Sequence, residues 1–225
     1  MTGTAIALAG ARAIIAQRMH ASLQETAQLS FLARCDATAL VGARRAWRDA
    51  GMAVSYEDLV AESLARVLPG HPLLNAVETP AGLELIPALH LSFAVDLPGG
   101  LVAPTVFSAQ DMTVDALSAA RRELIARARQ GKLTIRQLTG GTFTLSNLGS
   151  TRIEYFTPVL NRPQAAIVGM GRIAGAPWVD AGGALVARQV MSLSLTVDHR
   201  FVDGLPAGQF LSALCERLEG AVAQP

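Results

Sequence analysis

Residues 192–204 read SLSLTVDHRFVDG. Leu193, Leu195 and Val197 alternate with small polar residues, the period-two pattern of a half-buried strand. The strand then runs straight into Asp198, His199 and Arg200, and Asp203–Gly204 closes the phrase. Charge is scarce in this chain, at 16% of residues against 51% apolar. Three ionisable groups at the end of such a strand need partners or an open cleft, because burying them unpaired is expensive.

Each of these residues also has an ordinary structural explanation. A lone histidine at a strand end is more often structural than catalytic. Asp203, with Gly204 and Pro206 following, can simply cap the last helix, and Arg200 can be a solvated surface charge. Their concentration in one short phrase weakens these explanations. A second polar cluster stands in TFTLSNLGS (Thr142–Ser150), where Ser146 and Asn147 end an alternating strand just before Gly149. They form a Ser- or Asx-type turn, or they set a hydroxyl at the head of a strand to stabilise an oxyanion. A nucleophilic serine is unattractive because the chain has no G-x-S-x-G elbow. Zinc is equally unattractive: His20, His71, His90 and His199 are scattered, with no H-E-x-x-H spacing and no cysteine set.

Outward from these two phrases, strands and helices alternate. Ile14, Ile15, Met19 and Leu23 recur at helical spacing between Arg12 and Leu23. LSFLARCDA (Leu29–Ala37) reads as a strand and TALVGARRAW (Thr38–Trp47) as a helix. SYEDLVAESLARVL (Ser55–Leu68) opens with a capping box, Ser55 with Asp58, and stops at Pro69–Gly70. LHLSFAVDL (Leu89–Leu97) and LVAPTVF (Leu101–Phe107) read as two strands joined tightly at Pro98–Gly100. The longest helix starts at Thr113 and is stopped by Gly131. AAIVGMGRI (Ala165–Ile173) is a nearly continuous apolar strand, buried on both faces or at an interface, and LVARQVMSLSLTV (Leu185–Val197) leads into the opening phrase. A last helix, Pro206 to about Glu219, carries Phe210, Leu211, Leu214 and Leu218 on one side. No repeat or linker interrupts the 225 residues, so one α/β domain with a mixed sheet, residues 1–225, is the economical reading.

The totals narrow the partners. Lys+Arg 19 against Asp+Glu 18 leaves a formal charge of +1, which argues against nucleic acid or an anionic membrane. Cys35 and Cys215 have no metal-type spacing; Cys215 falls on the apolar side of a helix as a buried thiol, and a reducing compartment fits both. No apolar run approaches the roughly 20 residues of a membrane span, and no basic stretch precedes the short N-terminal apolar segment, as a secretory signal requires. A cytoplasmic protein is expected.

DHRFVDG (Asp198–Gly204) resembles the D-H-R-x-x-D-G signature of the catalytic domain of dihydrolipoyl acyltransferases, the core subunits of 2-oxo acid dehydrogenase complexes. Four further stretches are similar to that family, in its order: ARAIIAQRM (Ala11–Met19), SFAVDLPGGLVAPTV (Ser92–Val106), GGTFTLSNLGS (Gly140–Ser150) and FTPVLNRPQAAIVGMGRI (Phe156–Ile173). The resemblance runs from Leu8 to Gly220. The broader H-x-x-x-D-G pattern is shared with chloramphenicol acetyltransferases and peptide-synthetase condensation domains, which typically have a second histidine where this chain has Asp198. The Asp198–Arg200 context and SNLG favour the lipoyl branch.

The resemblance implies a chloramphenicol acetyltransferase-like α/β fold, a mixed sheet flanked by helices, building a homotrimer with His199 of one chain facing Ser146 of the next. Trimers would assemble into cubic or dodecahedral cores, with decarboxylating dehydrogenase and dihydrolipoamide dehydrogenase subunits as partners. The implied reaction moves an acyl group between an S-acyl-dihydrolipoyl group and coenzyme A. His199 is the implied general base. A thiol of pKa about 8.5 is only slightly ionised at neutral pH, and an imidazole near 6.5 suits the task. Ser146 matches the serine that hydrogen-bonds the oxyanion, and Asp203 an aspartate that holds the loop around the histidine. For coenzyme A, the family pattern points to Arg44 near the phosphates and to Asn147, which organises the turn under Ser146. No metal is implied. SLQETAQLS (Ser22–Ser30) and EYFTPVLNRPQ (Glu154–Gln164) lean towards acetyl rather than succinyl transfer.

Two departures stand out. Family members carry lipoyl and subunit-binding domains ahead of the catalytic one, and this chain begins at the catalytic domain. It is therefore read as a fragment, or as a subunit served by a lipoyl domain in trans. STRIEY (Ser150–Tyr155) lacks the extra glycines of many members. Competing readings are O-acetylation of a small molecule, as by chloramphenicol acetyltransferase, and an idle scaffold core.

Overall fold

A computed structural model describes residues 3, 8–98, 100–220 and 222–225 of the chain. The elements are, in order, α1 (Gly10–Glu25), β1 (Gln28–Asp36), α2 (Thr38–Asp49), α3 (Tyr56–Val67), β2 (Ala76–Thr79), β3 (Gly82–Leu85), β4 (Leu91–Phe93), β5 (Val95–Leu97), β6 (Gly100–Val102) and β7 (Thr105–Val106). They continue with α4 (Val114–Arg129), α5 (Ile135–Thr139), β8 (Phe143–Asn147), β9 (Ala166–Val179), β10 (Leu185–Asp198) and α6 (Gly204–Gly220). The main sheet has the order β1-β10-β9-β8-β4-β7. It is mixed, as expected: β9–β8 and β8–β4 are parallel and the other pairs antiparallel.

From Val190 to Asp198, β10 departs from the half-buried strand of the sequence reading, because both of its faces are buried there. Leu193, Leu195 and Val197 enter an apolar core with Phe210 and Leu214 of α6. The opposite face, Ser192, Ser194, Thr196 and Asp198, is equally inaccessible but polar. Hydrogen bonds run across this side of the sheet: Ser30 pairs with Thr196 of β10 at 2.7 Å, Ser92 with Thr105 at 2.9 Å, and Thr144 donates to Gln164 Oε1 at 2.5 Å. Paired hydroxyls remove the cost that otherwise keeps polar residues out of an interior. Phe156 covers the middle of this face, its ring seated where a side chain at Gly169 would stand. β9 is buried from Ala166 to Gly171, as its apolar run predicts, and then continues to Val179 as a partly exposed extension.

The two strands expected around Pro98 are each divided. β4 joins the main sheet and β5 turns away at Ala94 to hairpin with β6. Pro104, which has no N–H to give a ladder, separates β6 from β7. The turn itself includes residue 99, which lies outside the described residues. The β2–β3 hairpin and the single turn of α5 have no counterpart in the sequence reading; each is too short to set up a period.

The helices follow their signals closely. α1 extends two residues beyond the predicted span at each end, yet Ile14 is 60% exposed, so its apolar stripe is not a core face in the single chain. α4 stops before Gly131, whose φ of +65° suits glycine. Cys215 on α6 is buried, and so is Cys35 on β1; the neighbouring Cys215 thiol and burial push the Cys35 thiol up. Among the described residues, no helix is long and apolar enough to cross a membrane.

The capping box of α3 forms, with the Asp58 N–H donating to Ser55 Oγ at 3.2 Å and the Ser55 N–H donating to the Asp58 carboxylate at 2.8 Å. Asp58 is fully buried and also receives Arg121 of α4 at 2.6 Å and Ser118 at 2.9 Å. Burial pushes its carboxyl up, but the Arg121 and Ser55 hydrogen bonds outweigh that and hold it below its ordinary 3.8. A depressed carboxyl stabilises the fold above its unfolded value, and that contribution is lost as pH falls through the lower folded value. Asp58→Ala is expected to cost roughly 3–5 kcal/mol in urea unfolding at neutral pH, because it removes the fully buried half of an ion pair, leaving the Arg121 guanidinium only Glu57 as an ionic partner and the Ser55 N–H without its acceptor. The penalty should shrink below pH 3.8. An unchanged midpoint at neutral pH would show that the pair carries no stability.

Candidate active site

His199 is the first residue past β10. Its N–H donates to the Ala27 carbonyl at 2.8 Å, which seats it at the rim of the sheet, and its imidazole is 43% exposed. The Asp203 carboxylate stands 3.5 Å from Nδ1 and is otherwise open to solvent at 85% exposure. Asp203 also precedes α6, its carbonyl accepting the Ala207 N–H at 3.2 Å. Its backbone begins the helix while its side chain faces the imidazole.

The neighbours of His199 are spoken for. Asp198 is buried and takes Arg200 through Nε at 3.0 Å and Nη2 at 2.6 Å, with backbone N–H donors from Ala27 and Arg200. Burial pushes Asp198 up, but Arg200 and those N–H donors hold it below the usual carboxylate range, and Asp198 in turn pushes Arg200 up. Arg200 also reaches Glu78 on β2 at 2.9 Å. The strand ends in three ionisable residues because two of them clamp the turn that presents the third.

Ser146 lies in β8, half-buried, and faces a cavity of about 1020 Å³. Ile15 and Met19 of α1, Leu101 of β6, Phe156 and Ile167 make its wall largely apolar. Just past Ser146, the Gly149 N–H donates to Asn147 Oδ1 at 2.8 Å, an Asx turn that ends the strand. Burial pushes the Glu57 carboxyl up, with the Arg121 guanidinium and the Asn147 side chain acting against it. Arg44 on α2 stacks over the ring of Tyr56, the neighbour of Glu57, at 5.6 Å; it does not line the cavity.

Within one chain His199 and Ser146 are not together. Ser146 pairs with Gly169 on β9, and Gly169 with Ser194 on β10. His199 lies five residues beyond Ser194. At roughly 3.3 Å per residue and about 4.8 Å between strands, the two side chains stand about 17 Å apart along the sheet and about 10 Å across it. No single reacting atom reaches both. The sequence reading missed Glu78, Arg162 and Glu25. Arg162 donates to Glu78 at 2.8 Å and pairs with Glu25 at the end of α1. No local motif marks these residues, because only the fold brings them together.

The family model for the catalytic domain of 2-oxoacid dehydrogenase acyltransferases matches residues 2–224. The acetyltransferase component of the pyruvate dehydrogenase complex from Mycobacterium tuberculosis is 38% identical over 97% of this chain and 42% of its own length. The acetyltransferase component of the acetoin cleaving system from Bacillus subtilis is 34% identical over 97% of this chain and 56% of its own. The chain thus spans about half the length of these curated relatives. Among solved structures, the cubic core of a pyruvate dehydrogenase multienzyme complex superposes with a TM-score of 0.90 at 28% identity, covering 97% of this chain and 92% of that one. An Azotobacter vinelandii dihydrolipoamide acetyltransferase gives 0.90 at 29% identity with the same coverage; there a serine, a histidine and an asparagine four residues after it were investigated for their catalytic role. Four residues after His199 this chain has Asp203. Chloramphenicol acetyltransferase shares the fold alone, with a TM-score of 0.60 at 16% identity over 92% of this chain and 94% of that one.

Proposed function

Because the chain belongs to the family of 2-oxoacid dehydrogenase acyltransferase catalytic domains, we propose that it transfers an acyl group, acetyl by preference, between an S-acyl-dihydrolipoyl group and coenzyme A. It would do so as the homotrimeric core of a 2-oxo acid or acetoin dehydrogenase complex. The whole of residues 1–225 acts as one catalytic domain, and the lipoyl group comes from another domain or another chain. The decarboxylating dehydrogenase and dihydrolipoamide dehydrogenase are its partners, and the cytoplasm is its compartment. Two observations support this reading: a half-exposed imidazole with a carboxylate 3.5 Å from its Nδ1 and, on another strand, a hydroxyl that looks into a large apolar cavity.

His199 takes the proton from the coenzyme A thiol. The sulfur attacks the carbonyl carbon of the acyl-dihydrolipoyl thioester, and the carbonyl oxygen becomes an oxyanion. Ser146 donates its hydroxyl to that oxygen, a contribution of roughly 3–4 kcal/mol where such donors have been removed. The bond to the dihydrolipoyl sulfur then breaks, and the departing thiolate recovers the proton from the imidazolium. Asp203, beside Nδ1, holds the imidazole in the tautomer that leaves Nε2 free to accept, and it stabilises the imidazolium. The sites for coenzyme A are assigned to Arg44 and to the Asn147 turn.

A panel of acyl-CoAs assayed with free dihydrolipoamide tests the reading. Acetyl-CoA is expected to exchange fastest, and no exchange with any acyl-CoA would refute it. In the same assay Ser146→Ala should lower kcat by 100- to 1,000-fold with KM nearly unchanged, because an oxyanion needs the hydroxyl more than a bound thioester does. A rise in KM at constant kcat would make Ser146 a turn-forming residue instead.

A further inference from the structure

The imidazole of His199 is half-exposed and hangs on a short turn, so something else must set its direction. The turn is closed by the Phe201 and Val202 N–H groups donating to the Asp198 carbonyl, each at 3.0 Å. Beyond that, its side-chain anchor is Arg200. Asp198 holds Arg200 from within the same strand end, and Glu78 holds it from outside, with Oε1 2.9 Å from Nη2. The second oxygen of Glu78 takes Arg162 at 2.8 and 3.2 Å. One carboxylate is therefore shared between two guanidiniums, a geometry that fixes its rotation.

β2 itself stands on a firm base. The Glu78 N–H donates to the Pro163 carbonyl at 2.7 Å, Val77 bridges to Gln164, and the Ala165 N–H donates to the Ala76 carbonyl at 3.0 Å. These bonds join β2 to the segment entering β9. Burial pushes Glu78 up, but the hydrogen bonds from Arg162 and Arg200 outweigh it and keep the carboxyl below its usual range, so it is ionised wherever an imidazole can act as a base. Without its charge, Arg162 and Arg200 would face each other across the gap with only Glu25 and Asp198 on their far sides.

We propose that Glu78 is a positioning residue for the acyl transfer reaction, acting through Arg200 to fix the turn that aims the His199 imidazole. This inference rests on the acyltransfer reading and adds a residue that no motif marks. Glu78→Gln keeps the shape and removes the charge. Steady-state exchange should show kcat lowered about tenfold with both KM values within twofold. Spectra of protein labelled with ¹³C at histidine should show the His199 signal, assigned by its loss in His199→Ala, moved from its wild-type position. The signals of His20, His71 and His90 should stay in place, which a general loosening of the fold would not allow. Arg200→Gln combined with Glu78→Gln should be no worse than Arg200→Gln alone, since the two act in series. A His199 signal that stays in place overturns the inference, whatever happens to the rate. So do additive losses, or a raised KM at constant kcat. Should Glu78→Gln fail to fold, Glu78→Asp, which keeps the charge but shortens the reach to Arg200, is read by the same spectra and rates. If the wild-type protein shows no exchange, the acyltransfer reading fails, and the histidine spectra still decide whether Glu78 governs the turn.

Discussion

His199→Ala is expected to lower kcat for acyl exchange by at least a hundredfold while leaving assembly and thermal stability near wild type. The size follows from general base catalysis, which contributes about 10²- to 10⁴-fold where a positioned side chain moves the proton. The harmless effect on the fold follows from the side chain's setting. The His199 backbone N–H, which seats the turn against Ala27, survives the substitution, and the imidazole is 43% exposed. Loss of so little packing belongs with ordinary surface substitutions, typically within about 0.5 kcal/mol. In the wild-type protein, log(kcat/KM) should rise with pH at unit slope and level off as one base deprotonates; in the variant that limb should vanish. A variant with near wild-type kcat, or one that retains the same limb, assigns the base to another residue.

The second large effect concerns two inactive proteins that become active on mixing. The register places Ser146 level with Ser194 and His199 five residues beyond, so one chain cannot bring its own pair to one thioester. In the proposed trimer each site takes its imidazole from one chain and its hydroxyl from the next. His199→Ala chains keep Ser146, and Ser146→Ala chains keep His199. After random subunit exchange at equal amounts, an interface is intact when both contributions come from the right variant. That happens at about one interface in four, because a closed ring repeats the same heterologous contact at every boundary. Activity near a quarter of wild type is therefore expected, against almost none when the two proteins are mixed without dissociation. Exchange verified by mass with no recovery of rate would show that the two residues serve the same chain.

Much of this architecture is legible in the chain because it is written at short range. The strand through Val197, the Ser55–Asp58 box and the stop at Gly131 are each decided by residues within a turn or two of one another, and each appears in the structure. DHRFVDG and SNLGS are local phrases too, which is how His199, Asp203 and Ser146 stand out. What fails to read is set at long range. Leu89–Leu97 looks like one strand until β8 captures its first half and β6 its second. The polar face of β10 looks solvent-facing until Ser30 of β1 pairs with Thr196 and Phe156 closes over the sheet. Glu78 is an unremarkable acid in a four-residue strand, and only folding brings Arg162 and Arg200 to it.

The hydroxyl-lined face of the main sheet has a consequence for how the chain finds its strand phase. Side chains in a strand alternate strictly, so a slip of one residue between β10 and a neighbour exchanges its two faces. Here that error would drive Ser192, Ser194, Thr196 and Asp198 in among Phe210 and Leu214, and turn Leu193, Leu195 and Val197 towards the hydroxyls of Ser30 and Thr144. Each stranded hydroxyl would cost roughly 1–3 kcal/mol, and the carboxylate more. An apolar strand that was featureless on both sides would tolerate such a shift; this one proofreads it. The histidine at its end inherits that phase, so the error that misdirects its imidazole is also one that the fold rejects.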